Sequence, residues 1–185
     1  MPRNQVRYGK EESQSNIEGD GEMIGSDASE IKEYWEVACR EKGIDPSSKY
    51  HALTFGDPTF FSEIDEITEL ACAGQKRATS HLQIDFEISD VPMRDEGDYW
   101  LLLDVALKPR GLVQLSKVET KPFNEVDEEY AAIEGEGDSS LNHWTTIHRD
   151  YFQKQLEVWG RDWREDLPVV CEIFKLVHAA PSPKE

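Results

Sequence analysis

Apolar side chains recur at helical spacing in three stretches of the chain. The first stretch follows Ser29, a residue type that can cap a helix, and stops before Gly43, a residue type typical of a helix C-terminus. Its apolar positions are Ile31, Tyr34, Trp35 and Ala38. These positions share one face of a 3.6-residue repeat, so the pattern predicts a helix with one buried side.

The other two stretches predict a second and a third helix. Ser62, with Asp65 three residues later, resembles a capping box, and Gly74 marks the expected end of the second helix. Its apolar face consists of Ile64, Ile67, Leu70 and Ala71. Three neighbouring residues can cap the third helix, namely Asp138, Ser139 and Ser140. The face of that helix combines Leu141, Trp144, Ile147, His148, Tyr151 and Phe152.

Strand patterns occupy much of the chain after Gly74. Residues 99–107 form an apolar run that Asp104 interrupts, residues 111–120 alternate apolar and polar side chains, and residues 169–177 repeat a strand pattern. The order is therefore two helices, several strands, a helix and a final strand. This order predicts an α+β fold with a small mixed or barrel-like sheet.

Composition divides the chain into one domain and two tails. Residues 1–28 are rich in Gly, Ser, Asn, Gln and charge, so we expect a disordered acidic N-terminal tail. Residues 29–178 are expected to form a single domain, and residues 179–185 a C-terminal tail. The first 30 residues hold three basic and seven acidic side chains, which leaves −14 of the total −18 on the rest. The acidity therefore belongs to the predicted domain.

A net charge of −18 limits the partners of this chain. A broad grip on a phosphate backbone needs clustered Lys and Arg, so we expect no binding to duplex DNA. No stretch approaches the roughly 18 apolar residues that span a bilayer, and no secretory signal is evident. Three isolated cysteines, Cys39, Cys72 and Cys171, indicate buried thiols in a reducing compartment. These features predict a cytoplasmic protein that does not bind membranes.

The segment from Gly74 to Ser80 is the first candidate for chemistry. It leaves a helix and places Lys76 three residues before Thr79, but it lacks the ending of a phosphate-binding P-loop. Desolvation can lower a lysine pKa until the amine serves as a base for a hydroxyl. The alternative is a solvated lysine beside a threonine that bonds to its own backbone, and spacing alone favours it.

The second candidate is the segment 134–138, in which acids and glycines alternate. Glu134 or Glu136 could reach back toward a lysine, or the acids could simply favour the N-terminus of the following helix. The spacing of a calcium-binding EF-hand loop is absent. His143 and His148 are five residues apart, which is poor spacing for two metal ligands on one helical face. We expect no metal and no cofactor.

Together these segments resemble the ASCH-domain family, which has a PUA-like fold. The resemblance spans roughly residues 30–178 and rests on the following residues: Phe55-Gly56-Asp57, Gly74, Lys76, Thr79-Ser80, Pro92, Gly97-Asp98, Pro122-Phe123, Glu134 to Asp138, Ser140-Leu141, Trp144, His148, Tyr151-Phe152, Cys171-Glu172 and Phe174. It implies a PUA-like mixed β-barrel with helices covering the barrel openings. Family members are expected to bind RNA or its components beside this loop.

The resemblance also implies roles for individual residues. Some small bacterial members that are similar in this loop hydrolyse the amide of N4-acetylcytidine with a lysine, a threonine and a glutamate. These roles carry over to Lys76 as base, Thr79 as nucleophile and Glu134 as their partner, with Glu136 as the other acid of an ambiguous alignment. Substrate contacts are expected from four residues, namely Arg77, Ser80, His81 and Glu136. Members of the hydrolase type commonly carry arginine where this chain has His81, which leaves catalysis open.

Two kinds of function follow from the same predicted cleft. The first is recognition of a modified nucleoside or short single-stranded RNA, with hydrolysis of an N4-acylcytidine-type amide as an open question. The second is a non-catalytic RNA-binding or co-regulatory interaction module, which the acidic tail favours weakly. Both readings use Lys76, and neither specifies an oligomeric state.

Overall fold

The computed structural model describes residues 23–25, 28–57 and 62–179. It contains five α-helices and six strands among these residues. The helices are α1 (Ser29–Lys42), α2 (Ile64–Cys72), α3 (Gln83–Ile88), α4 (Glu128–Glu134) and α5 (Leu141–Trp159). The strands are β1 (Met23–Gly25), β2 (Tyr50–Thr54), β3 (Ala78–Leu82), β4 (Tyr99–Leu103), β5 (Pro109–Pro122) and β6 (Pro168–Ala179).

The strands form one mixed sheet in the order β1-β2-β4-β5-β6-β3. β1 and β4 run parallel to β2, whereas the β4–β5, β5–β6 and β6–β3 pairs are antiparallel. The pairing of β5 with β6 shifts register at two places, and such irregularities bend a sheet. The sheet is curled like a half-barrel, which confirms the α+β, PUA-like prediction.

Aromatic side chains fill the concave centre of this curl. Trp100, Phe55 and Phe174 are almost fully buried, and their ring centroids lie 4.7 to 6.3 Å apart. The indole of Trp100 donates to the carbonyl of Leu53 at 3.0 Å, so its polar atom is satisfied inside the core. This cluster supports the turn after β2, which forms one wall of the site below.

The three predicted helices are present, but their caps differ in part. Ser140 caps α5 as predicted, because its hydroxyl accepts from the His143 backbone N–H at 3.1 Å. Ser29 is the first residue of α1 rather than its cap, which is Ala28. The capping box at the start of α2 is wrong: Glu63 is the N-cap, and the Asp65 carboxylate accepts instead from the backbone N–H of Val105 at 2.8 Å.

The strand predictions were correct in position but not in length. β4 stops at Leu103 because the Asp104 carboxylate accepts from the backbone N–H groups of Ala106 and Lys108, which closes a turn. β5 and β6 extend beyond their predicted ends. The short elements β1, β2, β3, α3 and α4 were not predicted.

The predicted tails meet the described residues at three points. Residues 23–25 lie inside the predicted N-terminal tail but form β1, which pairs with β2 from Tyr50 to Ala52. Ala179 is the last residue of β6 rather than the start of a tail. Ala28, the last residue of the predicted N-terminal tail, is the N-cap of α1. The other tail residues fall outside the described part of the chain, where the predictions stay untested. Within the described part, none of the helices is long and apolar enough to cross a membrane.

Candidate functional site

The candidate site is a pocket between β3, the end of α4, the helix α5 and the turn after β2. It has about 420 Å³ of space, including its open mouth. Polar and apolar side chains share its wall. The lining residues are Phe55, Gly56, Ile67, Thr79, Ser80, His81, Glu134, Glu136, Ile147, His148 and Tyr151. Five of the predicted site residues therefore line one pocket.

Lys76 reaches this region because of how α2 ends. Gly74 adopts φ +76°, a left-handed conformation that suits glycine, and the carbonyl of Leu70 accepts from the backbone N–H groups of Gln75 and Lys76. The chain then turns into β3, and the side chain of Lys76 is only 1% exposed. Its Nζ donates to Glu134 Oε1 at 3.1 Å and also to a carboxylate oxygen of Glu136.

Glu134 ends α4 at a place where the following residue must be glycine. Gly135 adopts φ +73°, and a Cβ there would lie 2.4 Å from the carbonyl oxygen of Gln75. This close approach brings the end of α4 against the loop that carries Lys76. The Glu134-Gly135 pair in the sequence therefore marks the point where the end of α4 meets the loop that carries Lys76.

The Glu134 carboxylate is surrounded by four polar side chains from three segments, namely the loop after α2, β3 and α5. Besides Lys76, it accepts from Ser80 Oγ at 3.0 Å and from the indole N–H of Trp144 at 2.6 Å. His148 Nε2 lies 3.3 Å from Glu134 Oε1, and its Nδ1 lies 2.9 Å from the carbonyl oxygen of Trp144. A buried carboxylate with this many donors is held rigidly and stays ionised.

The charges in this cluster reinforce one another. Burial by itself disfavours the charged forms of Lys76 and His148, but the adjacent Glu134 outweighs burial and raises the pKa of each. Burial acts in the opposite sense on Glu134, yet Lys76 and His148 lower its pKa well below the usual range. Lys76 is therefore an ammonium in this arrangement, which corrects the expectation that desolvation would leave it a free base.

Thr79 and Ser80 face the pocket from β3. Thr79 is 6% exposed, and its hydroxyl has no hydrogen-bond partner among the described residues. Its backbone carbonyl accepts from the Tyr130 hydroxyl at 2.6 Å, and Ser80 Oγ lies 3.1 Å from the same hydroxyl. Thr79 thus offers an available hydroxyl, whereas Ser80 is engaged in holding Glu134.

Arg77 does not join the pocket. It is exposed and is absent from the lining residues, because side chains alternate faces along the extended chain and Lys76 takes the inward direction. Its backbone is nevertheless tied down: its N–H donates to Ile133 and its carbonyl accepts from Phe174. Arg77 therefore does not line this pocket, and its contact with a ligand stays a prediction.

His81 lies beside a buried arginine that sequence reasoning missed. Arg94 Nη2 is 3.1 Å from His81 Nε2 and 2.6 Å from Glu172 Oε2, and its guanidinium stands 4.0 Å from the ring of Trp100. Burial, followed by the charge of Arg94, lowers the pKa of His81 to about 3. The imidazole is thus neutral, and an arginine is present next to the position where the family resemblance led us to expect one.

Metal ligation receives no geometric support within the described residues. No group of three or more His, Cys, Asp or Glu side chains there is arranged to hold an ion. His143 and His148 lie in different surroundings: His148 bonds within the Glu134 cluster, while His143 lines the outer groove beside Gly137.

Comparisons with known proteins agree with this architecture. The chain is similar to the crystal structure of an ASCH domain from Lactobacillus crispatus, with a TM-score of 0.73 and 26% identity over 82% of this chain and 96% of that one. It also shares the fold of a protein from Enterococcus faecalis, with a TM-score of 0.68 and 24% identity over 81% and 89% of the two chains. Among curated proteins, none matches. The family model described as "ASCH domain" matches residues 51–178, and the chain therefore belongs to the ASCH-domain family.

Proposed function

We propose that this pocket recognises an RNA component, namely a single base or modified nucleoside, beside the loop from Gly74 to Thr79. The observation that carries the proposal is convergence: Thr79, Ser80, Glu134 and Glu136 line one pocket. RNA binding is the role expected of an ASCH domain with a PUA-like fold. The pocket itself supports a small ligand more than a long strand.

The walls of the pocket suit a planar ligand. Tyr151 supplies aromatic surface on which a base can stack, and such stacking contributes roughly 1–3 kcal/mol. Ile67 and Ile147 add apolar contact.

The charge of the pocket favours a neutral ligand. No Lys or Arg is among the described residues that line the pocket, whereas Glu134 and Glu136 both line it. A phosphate group would face these carboxylates without a direct cationic partner. Thr79 offers a hydroxyl that can donate to or accept from the edge of a base.

A binding experiment tests this proposal. We expect saturable binding of cytidine and N4-acetylcytidine by calorimetry, with cytidine 5′-monophosphate binding more weakly because of repulsion from Glu134 and Glu136. Thr79→Val removes the hydroxyl and should weaken binding about three- to tenfold. Thr146→Val, an exposed change on α5, is the matched control. Absence of nucleoside binding, or preference for the phosphate, would contradict the proposal.

Amide hydrolysis is a second candidate function, favoured by one specific arrangement. Glu134, which pairs with the buried Lys76, lines the same pocket as Thr79 and its available hydroxyl. In this reaction the Thr79 oxygen attacks the acyl carbon of an N4-acylcytidine, and the carbon–N4 bond breaks. The threonine proton reaches N4 through the base, and water then cleaves the threonyl ester to release the carboxylic acid.

The resting charge of Lys76 defines what this reaction would require. An ammonium cannot accept the threonine proton, and both Glu134 and Glu136 raise the Lys76 pKa. Glu136 is the more accessible carboxylate, with 17% of its side chain exposed. A substrate that displaces Glu136 would remove one of the two charges that keep Lys76 protonated.

The hydrolysis candidate has its own assay. Purified protein is incubated with N4-acetylcytidine, and cytidine is followed by chromatography. Lys76→Ala and Thr79→Val should abolish product, while Lys117→Ala, at an exposed position on β5, should not. Product formation that survives both site variants would rule out this mechanism, and absence of product from the wild type would leave binding as the function.

A further inference from the structure

A second cavity adjoins the candidate site on the other side of His81. It offers about 740 Å³, including its mouth, between the turn after β2, α3 and the C-terminal part of α5. The two cavities share Gly56 and His81. The second cavity includes no residue that the family resemblance singled out as catalytic.

The polar wall of this cavity includes two carboxylates, Asp57 and Asp85, and the side-chain amide of Gln155. Asp85 accepts from Ser89 Oγ at 2.8 Å and from Gln155 Nε2 at 3.2 Å, so its two hydrogen-bond partners are neutral donors. The same contact fixes the orientation of the Gln155 amide, since its NH₂ group must face the carboxylate. Gln155 is only 1% exposed, and its Oε1 has no partner in the part of the chain that the structure describes.

An unsatisfied buried acceptor beside a carboxylate indicates a missing donor. Leaving such an oxygen unpaired costs about 1–3 kcal/mol, which a ligand with N–H groups would recover. Arg94 also lines the cavity, and Glu172 pairs with its guanidinium at 2.6 Å. Two carboxylates of the lining, Asp57 and Asp85, outnumber this one paired cation, so the charge of the cavity wall favours a cationic ligand.

The apolar wall of the cavity suits the same kind of group. Phe86 and Trp159 both line it. Aromatic faces attract ammonium groups, by about 0.5–2 kcal/mol depending on desolvation. Carboxylate, amide oxygen and aromatic ring together form a common set of contacts for an alkylammonium ion.

We propose that this second cavity is a subsite for a protonated alkylamine, which Asp85 and Gln155 Oε1 bind as acceptors while Phe86 and Trp159 contact its alkyl chain. This subsite is inferred from the contacts within the second cavity and does not depend on the proposed function. A further step, in which one ligand fills both cavities, rests on the proposed function. A nucleoside bearing an amine-terminated substituent would place its base in the first cavity and its amine in the second.

The test uses n-butylammonium chloride against n-butanol, which has a similar length and no charge. Both are titrated into the full chain and followed by NMR at the indole N–H of Trp159 and the side-chain amide of Gln155. We expect saturable shifts with butylammonium and none with butanol at equal concentration. Similar shifts from both, or none from either, would overturn the proposal.

Matched variants test whether Asp85 is the charge that binds butylammonium. Asp85→Asn should weaken butylammonium binding by at least about tenfold, and Gln155→Met by a smaller factor, because a charged contact is the stronger one. Glu157→Gln removes an exposed charge from the same helix and should change nothing. Equal losses in Asp85→Asn and Glu157→Gln would show only general surface charge and refute the subsite. The wild-type comparison of the two probes stands even if a variant fails to fold.

A cytidine arm separates this proposal from the proposed function. Cytidine should leave butylammonium affinity intact, since the two probes occupy adjoining cavities, whereas simple competition would overturn the assignment of two subsites. If cytidine fails to bind but butylammonium binds as described, the proposed function fails and the amine subsite remains.

Discussion

Two buried ion pairs flank β3, and they are built in different ways. Lys76–Glu134 lies on the side of α4 and α5, and Arg94–Glu172 lies between β6 and the ring of Trp100. Glu134 also accepts from Ser80 and Trp144 and lies beside His148, whereas Glu172 relies on Arg94, with the neutral His81 at 3.6 Å.

The difference separates a buried carboxylate that several donors stabilise from one that depends on a single cation. Because several donors surround Glu134, loss or movement of one leaves the carboxylate still solvated by the others. Glu172 is 0% exposed and depends on a single cation, so loss of that cation strands a buried charge.

Removal of the structural cation should have the largest effect. Arg94→Met leaves Glu172 buried without a cation and should lower the free energy of unfolding by about 3–5 kcal/mol. Urea denaturation followed by tryptophan fluorescence measures this. The double change Arg94→Met with Glu172→Leu should recover much of the loss, because no charge then remains buried. A double variant as unstable as the single one would show that packing, not charge, is at stake.

Removal of the site cation should cost less. Lys76→Met leaves Glu134 with Ser80, Trp144 and His148, so we expect a loss of about 1–3 kcal/mol in the same urea experiment. Lys117→Met, on an exposed part of β5, is the control and should stay within about 0.5 kcal/mol. A loss equal to that of Arg94→Met would remove the distinction between the two pairs.

The pKa values of His81 and His148 should be shifted in opposite directions. The pKa of His81, about 3 in the folded state, lies below its unfolded value, so His81 stabilises above pH about 6.5. That stability falls by about 1.4 kcal/mol per pH unit as the pH drops below 6.5. The pKa of His148 is raised beside Glu134, so its contribution is complete below the unfolded pKa and is lost as the pH rises through the folded one.

NMR titration and stability curves check this prediction separately. The ring protons of His81 should not titrate down to about pH 4, while those of His148 should titrate above about pH 6.5. His81→Gln should flatten the decline in stability between pH 6 and pH 5 relative to the wild type. Titration of His81 near its ordinary pKa would mean that Arg94 does not govern it.

The smallest effect tests the redundancy around Glu134 directly. Ser80→Ala removes one donor at 3.0 Å and should cost about 1 kcal/mol, since Trp144, Lys76 and His148 remain. Thermal unfolding of this variant beside Ser116→Ala, which removes a more exposed serine on β5, measures the excess. A loss above about 3 kcal/mol would show that the donors act as one unit.

The sequence indicates the candidate residues better than the elements that carry them. Lys76, Thr79 and Glu134 are candidates because glycines mark both of their segments and the family resemblance includes them, and both glycines adopt positive φ angles. β3 is not predicted, since five residues containing Thr, Ser and His do not alternate cleanly. Its strand character comes from pairing with β6.

Arg94 could not be found from the sequence. It follows Pro92 and Met93 in a stretch without periodicity, and a lone arginine there is usually solvated. Glu172, in the middle of a buried strand pattern, was the available signal, because a carboxylate at such a position requires a cation. Sequence alone does not say which cation, since the two residues are 78 positions apart.

β3 is an edge of the sheet, and its free side is occupied by α4. The Arg77 N–H donates to Ile133, and the Thr79 carbonyl accepts from Tyr130, so backbone groups that could recruit a strand from another molecule are already bonded. The helix that delivers Glu134 to the pocket therefore also guards the chain against edge-to-edge aggregation. Variants that loosen α4 should therefore lose solubility.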